Sequence, residues 1–179
     1  MMKKRGWIRM MLCGLMVLIA AGCQVDTPRL TTNTTRIAQL AAEIADFEPP
    51  AGYAPEYGGT WQGTTLVAYH VGNGPRHLMF LQVEEGSDLA EMSTEAALAE
   101  VTSDDSYYSG LDEIEVREVV IRGETTSMVV SEGVNGEGLP YRQVTAPFTG
   151  NGGPALMSLT GPIDGWDWDM VDAFLASIR

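Results

Sequence analysis

Apolar and polar positions alternate most clearly between Glu113 and Gly161. This stretch predicts four antiparallel strands, separated by turns at Gly123-Glu124, Asn135–Gly138 and Gly150–Gly153, where Gly and Asn reach positive φ at little cost. Folding about those turns aligns Val119 with Met128 and Ile121 with Thr126. It then sets Met128 against Val144, and Val144, Ala146 and Phe148 against Leu159, Met157 and Ala155. A slip of one residue would turn these side chains to the other face. That other face carries Glu118, Arg122, Thr125, Ser127, Ser131, Gln143, Thr145, Ser158 and Thr160, so the meander is expected to have one apolar side and one wet side.

Thr64–Val71 and His77–Glu84 form a hairpin in which Leu66 meets Leu81, Val67 meets Phe80, Ala68 meets Met79 and Tyr69 meets Leu78. Apolar residues on both faces predict cover on both sides. Three helices complete the pattern. Ile37, Leu40, Ala41 and Ile44 mark the first, with Thr34 or Thr35 as its cap. Asp88–Val101 is the second, with capping-box spacing between Asp88 and Glu91. The third starts at an Asp164 cap, passes Trp166 and Trp168, and runs along Met170, Val171, Phe174, Leu175 and Ile178. Phe47–Gly59, with Tyr53 and Tyr57, reads as a loop whose aromatics pack inward. The expected fold is α+β: about six antiparallel strands (a hairpin plus a four-stranded meander) packed by three helices. Its outline over residues 36–179 is similar to the PsbP-like fold, a resemblance of element order that transfers no functional residue.

The first 23 residues follow a different pattern. Lys3, Lys4, Arg5 and Arg9 precede an apolar run from Met10 to Ala21, too short for a spanning helix of about 20 residues. The run closes on Leu18-Ile19-Ala20-Ala21-Gly22-Cys23, which resembles the lipobox of bacterial lipoproteins, with Ala20 where the family usually has Leu. The resemblance implies a signal peptide over residues 1–22, cleavage after Gly22 and lipidation of Cys23. Residues 23–35 would form a flexible tether, able to stretch about 40 Å at ~3.3 Å per residue, ahead of a single domain at 36–179. Gln24 after the cysteine implies the outer membrane in a Gram-negative host and the cell surface otherwise. Two or more acyl chains would hold the protein stably on the membrane without spanning it. Asn33-Thr34-Thr35 matches a glycosylation sequon but is read as chance.

Charge sharpens this picture. The chain carries 24 acidic and 11 basic residues, a formal net charge of −13. All the acids lie beyond Gln24, and no lysine follows Lys4. Such a balance argues against nucleic acid as a partner and against electrostatic docking on anionic lipid. Cys13 leaves with the leader and Cys23 would be acylated, which excludes thiol catalysis, disulfides and cysteine-ligated metals from the mature domain.

Nucleophile-elbow and phosphate-loop motifs are absent, and the loss of lysine removes Schiff-base chemistry. Three constellations remain. His70 faces His77 across the hairpin, but no third ligand lies nearby, so turn-flanking histidines are the simpler reading. Asp104, Asp105, Asp112, Glu113 and Glu115 cluster hard oxygens suited to calcium, without EF-hand spacing. Arg117 and Arg142 fall on one sheet row, either side of Val130. There they would grip a carboxylate ligand or, more readily, pair with acids of a covering helix. No cofactor and no catalytic residue is singled out. The expectation is a membrane-anchored envelope lipoprotein, a non-catalytic accessory module of a protein complex. The alternative is a lipoprotein binding a small ligand or metal.

Overall fold

Eight strands, not six, emerge from the chain in the computed structural model, which describes residues 29–72, 74, 76–86, 110–135 and 137–179. They are β1 (Arg29–Thr31), β2 (Tyr53–Trp61), β3 (Thr64–Val71), β4 (His77–Val83), β5 (Asp112–Ile121), β6 (Glu124–Val134), β7 (Pro140–Thr149) and β8 (Pro154–Pro162). All pair antiparallel in one sheet, ordered β1-β2-β3-β4-β8-β7-β6-β5. Two four-stranded meanders therefore join through β4 and β8. Two helices are found among the described residues, α1 (Thr34–Ile44) and α2 (Trp168–Ser177). The expected six-stranded sheet with three helices is thus corrected to a mainly β fold, and the outline behind the PsbP-like resemblance changes with it. The helix expected at 88–101 lies outside the described residues.

The additional strands have physical causes. Gln62 and Gly63 both adopt positive φ (47° and 75°), the requirement of a two-residue hairpin turn, and so fold β2 onto β3. Pro55, Gly58 and Gly59 make β2 unlike a strand in composition, and its ladder carries an irregularity between Pro55 and Tyr57. The glycines answer to close neighbours. A Cβ on Gly58 would lie 3.2 Å from Leu40 Cδ1, and one on Gly59 would lie 2.6 Å from the Arg29 carbonyl oxygen. Part of the expected tether is accordingly sheet, with Leu30 opposite Gly59.

The β3–β4 and β7–β8 registers match the sequence reading pair for pair. At β5–β6 the ladder is displaced by two residues, setting Val119 against Thr126 and Ile121 against Glu124. The turn there is Arg122-Gly123, both with positive φ, rather than Gly123-Glu124. At β6–β7, Val130 rather than Met128 faces Val144. Asn135 Oδ1 accepts the amides of Glu137 and Leu139, each at 3.0 Å, and so extends that loop to Leu139. A shift of two preserves which face each side chain occupies, so the apolar side is as expected.

Both helices cover that side. Ile37, Leu40, Ala41 and Ile44 of α1 are buried, and Asn33, not a threonine, caps it by accepting Arg36 N–H at 3.0 Å. Three carbonyls near its C-terminus find donors from the sheet: Asn151 Nδ2 on Ala42 at 3.0 Å, Gln82 Nε2 on Glu43 at 3.3 Å and Asn151 N on Ile44 at 2.8 Å. α2 starts three residues later than expected. Asp167, not Asp164, accepts Met170 N–H at 3.0 Å, while Ile163 and Trp166 close a turn ahead of it. Asp46 and Arg179 exchange two backbone hydrogen bonds, of 2.9 and 2.8 Å, tying the chain after each helix to the other. The interior joins Ile37, Val67, Phe80, Met128, Val144 and Met157 with Phe174 of α2.

On the opposite face the hairpin is buried as expected, with Ala68 and Leu81 at 1% and 2% exposure. The wet-side expectation fails at Ser158 and Thr160, which are also buried. Each has a partner: Gln143 Nε2 donates to Ser158 Oγ at 3.0 Å, and Thr160 Oγ1 donates to the His77 carbonyl at 3.3 Å.

Candidate functional site

Arg117 on β5 and Arg142 on β7 emerge at one end of the helix-covered face. Their row differs from the expected one, because Arg117 pairs with Met128 and Arg142 with Glu132. Their carboxylate partners come from the sheet rather than from a covering helix. Arg117 donates from Nε and Nη2 to the two Glu115 oxygens at 2.8 and 2.9 Å. Arg142 donates from Nε to Glu132 Oε1 at 2.8 Å, and its Nη2 binds the same oxygen.

The helix end contributes aromatic faces instead. The Arg117 guanidinium carbon lies 3.8 Å from the Trp168 ring centroid, and that of Arg142 lies 5.1 Å from Trp168 and 5.4 Å from Trp166. The two indoles meet edge to face at 5.7 Å. Each guanidinium therefore has a carboxylate along one edge and an indole on its face, the two contacts a planar cation makes best. The hydrogen bonds from Arg117, then its charge and that of Arg142, hold the Glu115 carboxyl below the usual carboxylate range. The Arg117 pKa is raised in return, first by the Glu115 hydrogen bond and further by the charges of Glu115 and Asp172. Beside this cluster Arg76 donates to the Gly165 carbonyl at 3.0 Å, and the buried Trp166 Nε1–H has no hydrogen-bond partner among the described residues. The group fastens the start of α2 to the sheet while spending both arginine forks internally.

The histidine pair forms as expected, His70 opposite His77. His77 Nδ1 lies 3.3 Å from Glu56 Oε2, and the buried His70 Nδ1 has no hydrogen-bond partner among the described residues. Among the described residues no three His, Cys, Asp or Glu side chains are grouped to hold a metal ion. Asp112, Glu113 and Glu115 of the acidic constellation lie on β5, exposed, whereas Asp104 and Asp105 lie outside the described residues. Gly22 and Cys23 lie outside them as well. Tyr53 and Tyr57 sit on a strand, not a loop. Tyr53 packs against the core, and burial raises its phenol pKa against the pull of Arg76.

The sequence reading missed the outer strand as a surface. β5 ends the sheet, and among the described residues no strand pairs with its outer edge. It exposes Ile114, Val116 and Val120 at 52%, 53% and 57%, between Asp112, Glu113, Glu115 and Glu118. Alternating valines and acids were visible in the sequence, but only the strand order shows that they form an edge.

No family model matches the chain, and no curated protein matches it.

Proposed function

We propose that this chain is exported, cleaved after Gly22, lipidated on Cys23 and held on an envelope membrane, where its sheet domain is a non-catalytic docking module for a larger protein complex. The observation that carries the docking role is β5. An exposed ten-residue edge strand offers backbone groups that no other strand pairs among the described residues, a template for adding a strand, and its three exposed branched side chains offer apolar contact. Four acids against one arginine on that strand suit an extended partner segment bearing Lys or Arg. Soluble proteins usually shorten or cover such an edge; here acids and a bulge at Ile114 guard it against self-association while leaving it open to a basic partner. Capture of a carboxylate ligand by Arg117 and Arg142 is disfavoured, since Glu115 and Glu132 already occupy both forks.

The test is a photo-crosslinking side chain at Val116 in the full-length, C-terminally tagged protein in its native membranes. The reading predicts one stoichiometric adduct from Val116 and none from the same group at Gln39 on α1. No adduct from Val116 would refute the docking role. Replacing Cys23 by Ser is expected to move the protein to the soluble or unprocessed fraction, and unchanged fractionation would refute the anchor.

A further inference from the structure

The chain between the lipid anchor and the start of the sheet is shorter than a tether running to Thr35, because β1 begins at Arg29. From Cys23 to Arg29 is six residues, at most about 20 Å of chain whatever its conformation. The sheet is wider than that: seven steps between eight strands span about 34 Å. An anchor shorter than the domain is broad favours the edge it enters as the edge nearest the lipid. That edge is β1, and the far edge is β5.

The surface around β1 has two features suited to a bilayer. Among the described residues Leu30 is the most exposed large apolar side chain, at 68%, and Trp61 is 36% exposed. Leu30 pairs with Gly59, two positions from Trp61 on β2, so both project from one face at one corner. Leucine and tryptophan favour the membrane interface, where an apolar body meets polar headgroups. The second feature is charge. Residues 29–42 and 57–75 contain no Asp or Glu, and their two charged residues are Arg29 and Arg36; residues 138–163 share this scarcity, with Arg142 alone, but carry no chain leading to the anchor. Glu43 and Glu56 border these stretches, and each faces a basic side chain: Glu43 lies 3.4 Å from Arg36, and Glu56 lies 3.3 Å from His77 Nδ1. Glu84 lies nearby, its amide donating to the Gly63 carbonyl at 2.7 Å.

We infer that the β1–β2 corner, with Leu30 and Trp61, rests on the bilayer surface and points β5 away from it. This rests on lipidation of Cys23. It deepens the docking proposal by making the partner-binding edge the membrane-distal one. The occupant of the corner is a zwitterionic lipid surface, since the domain as a whole is too acidic to be drawn electrostatically to anionic lipid.

The acylated protein offers no other thiol in its mature chain, so a single added cysteine takes a single label. Lipoprotein purified from its native membrane, carrying L30C or V120C labelled with a fluorophore, would be reconstituted into phosphatidylcholine vesicles containing nitroxide-labelled lipid. Quenching at L30C is expected to exceed that at V120C several-fold. Equal or reversed quenching in vesicle-bound protein would overturn the orientation and leave the anchor standing. Protein that fails to float with the vesicles would overturn both.

Discussion

The helix-covered face is sealed by hydrocarbon at its centre and by charge at its end. In the centre, Phe47 stacks on Phe80 with ring centroids 4.2 Å apart, and Phe148 and Phe174 meet Phe80 edge-on at 6.1 and 6.0 Å. Phe80 is wholly buried and Phe174 nearly so. At the end, Trp166 and Trp168 are only half-buried, and arginines cover their faces. Aromatic area removed from water contributes stability in both places, but the dry cluster gains the full hydrophobic term. The wet cluster gains a smaller one, plus directional contacts that fix where α2 begins. One region stabilises the fold; the other positions a helix.

The contrast is broken most directly by Phe80→Ala. Truncating a fully buried ring in a packed cluster should cost about 3–5 kcal/mol, read from the urea midpoint. A cost near 1 kcal/mol would show that the centre is not the stabilising region. Arg142→Ala comes next, at about 1.5–3 kcal/mol. It leaves Glu132, whose side chain is 27% exposed, without its charged partner. Arg117→Ala should cost under about 1 kcal/mol, because its pair with Glu115 is 34% and 45% exposed and screened by solvent. Equal costs for the two arginines would remove the distinction between an inner and an outer pair.

The smallest effect sharpens the comparison through pH. The Glu115 carboxyl is depressed in the folded chain, so its contribution is present above the unfolded carboxylate pKa and is lost as pH falls through the folded one. In Arg117→Ala the Glu115 titration, followed by side-chain carboxyl NMR, should move up toward the ordinary range. At the buried centre the sign is opposite. Burial raises the Tyr69 phenol, so its contribution is present below the unfolded tyrosine pKa and is lost as pH rises through the folded one. Tyr69→Phe should therefore flatten the alkaline limb of the stability curve, and an unchanged limb would contradict that assignment.

What the sequence revealed depended on how local the governing interaction was. The β3–β4 and β7–β8 registers were legible because alternating side chains on both strands agree about a short turn. The α1 face was legible from the spacing of Ile37, Leu40, Ala41 and Ile44. β2 was hidden because Pro55, Gly58 and Gly59 lower strand propensity; their reasons lie in β1 and α1, which pack against them. Gln62-Gly63 was the readable signal for that strand. The two-residue shift at β5–β6 turned on Arg122, a non-glycine residue with φ of 55°. The arginine site was half legible. Glu115 stands two positions from Arg117 on the same strand face, a pairing the alternation contains. Glu132 became visible only with the correct β6–β7 register, and the tryptophan cover only with the true start of α2.

Everything proposed about the membrane depends on Cys23, so the most direct measurement is mass spectrometry of the N-terminal peptide of the protein extracted from its native membrane. The account predicts a chain that begins at Cys23 and carries a thioether-linked diacylglycerol. A mature chain that begins elsewhere, or an unmodified Cys23, would contradict it.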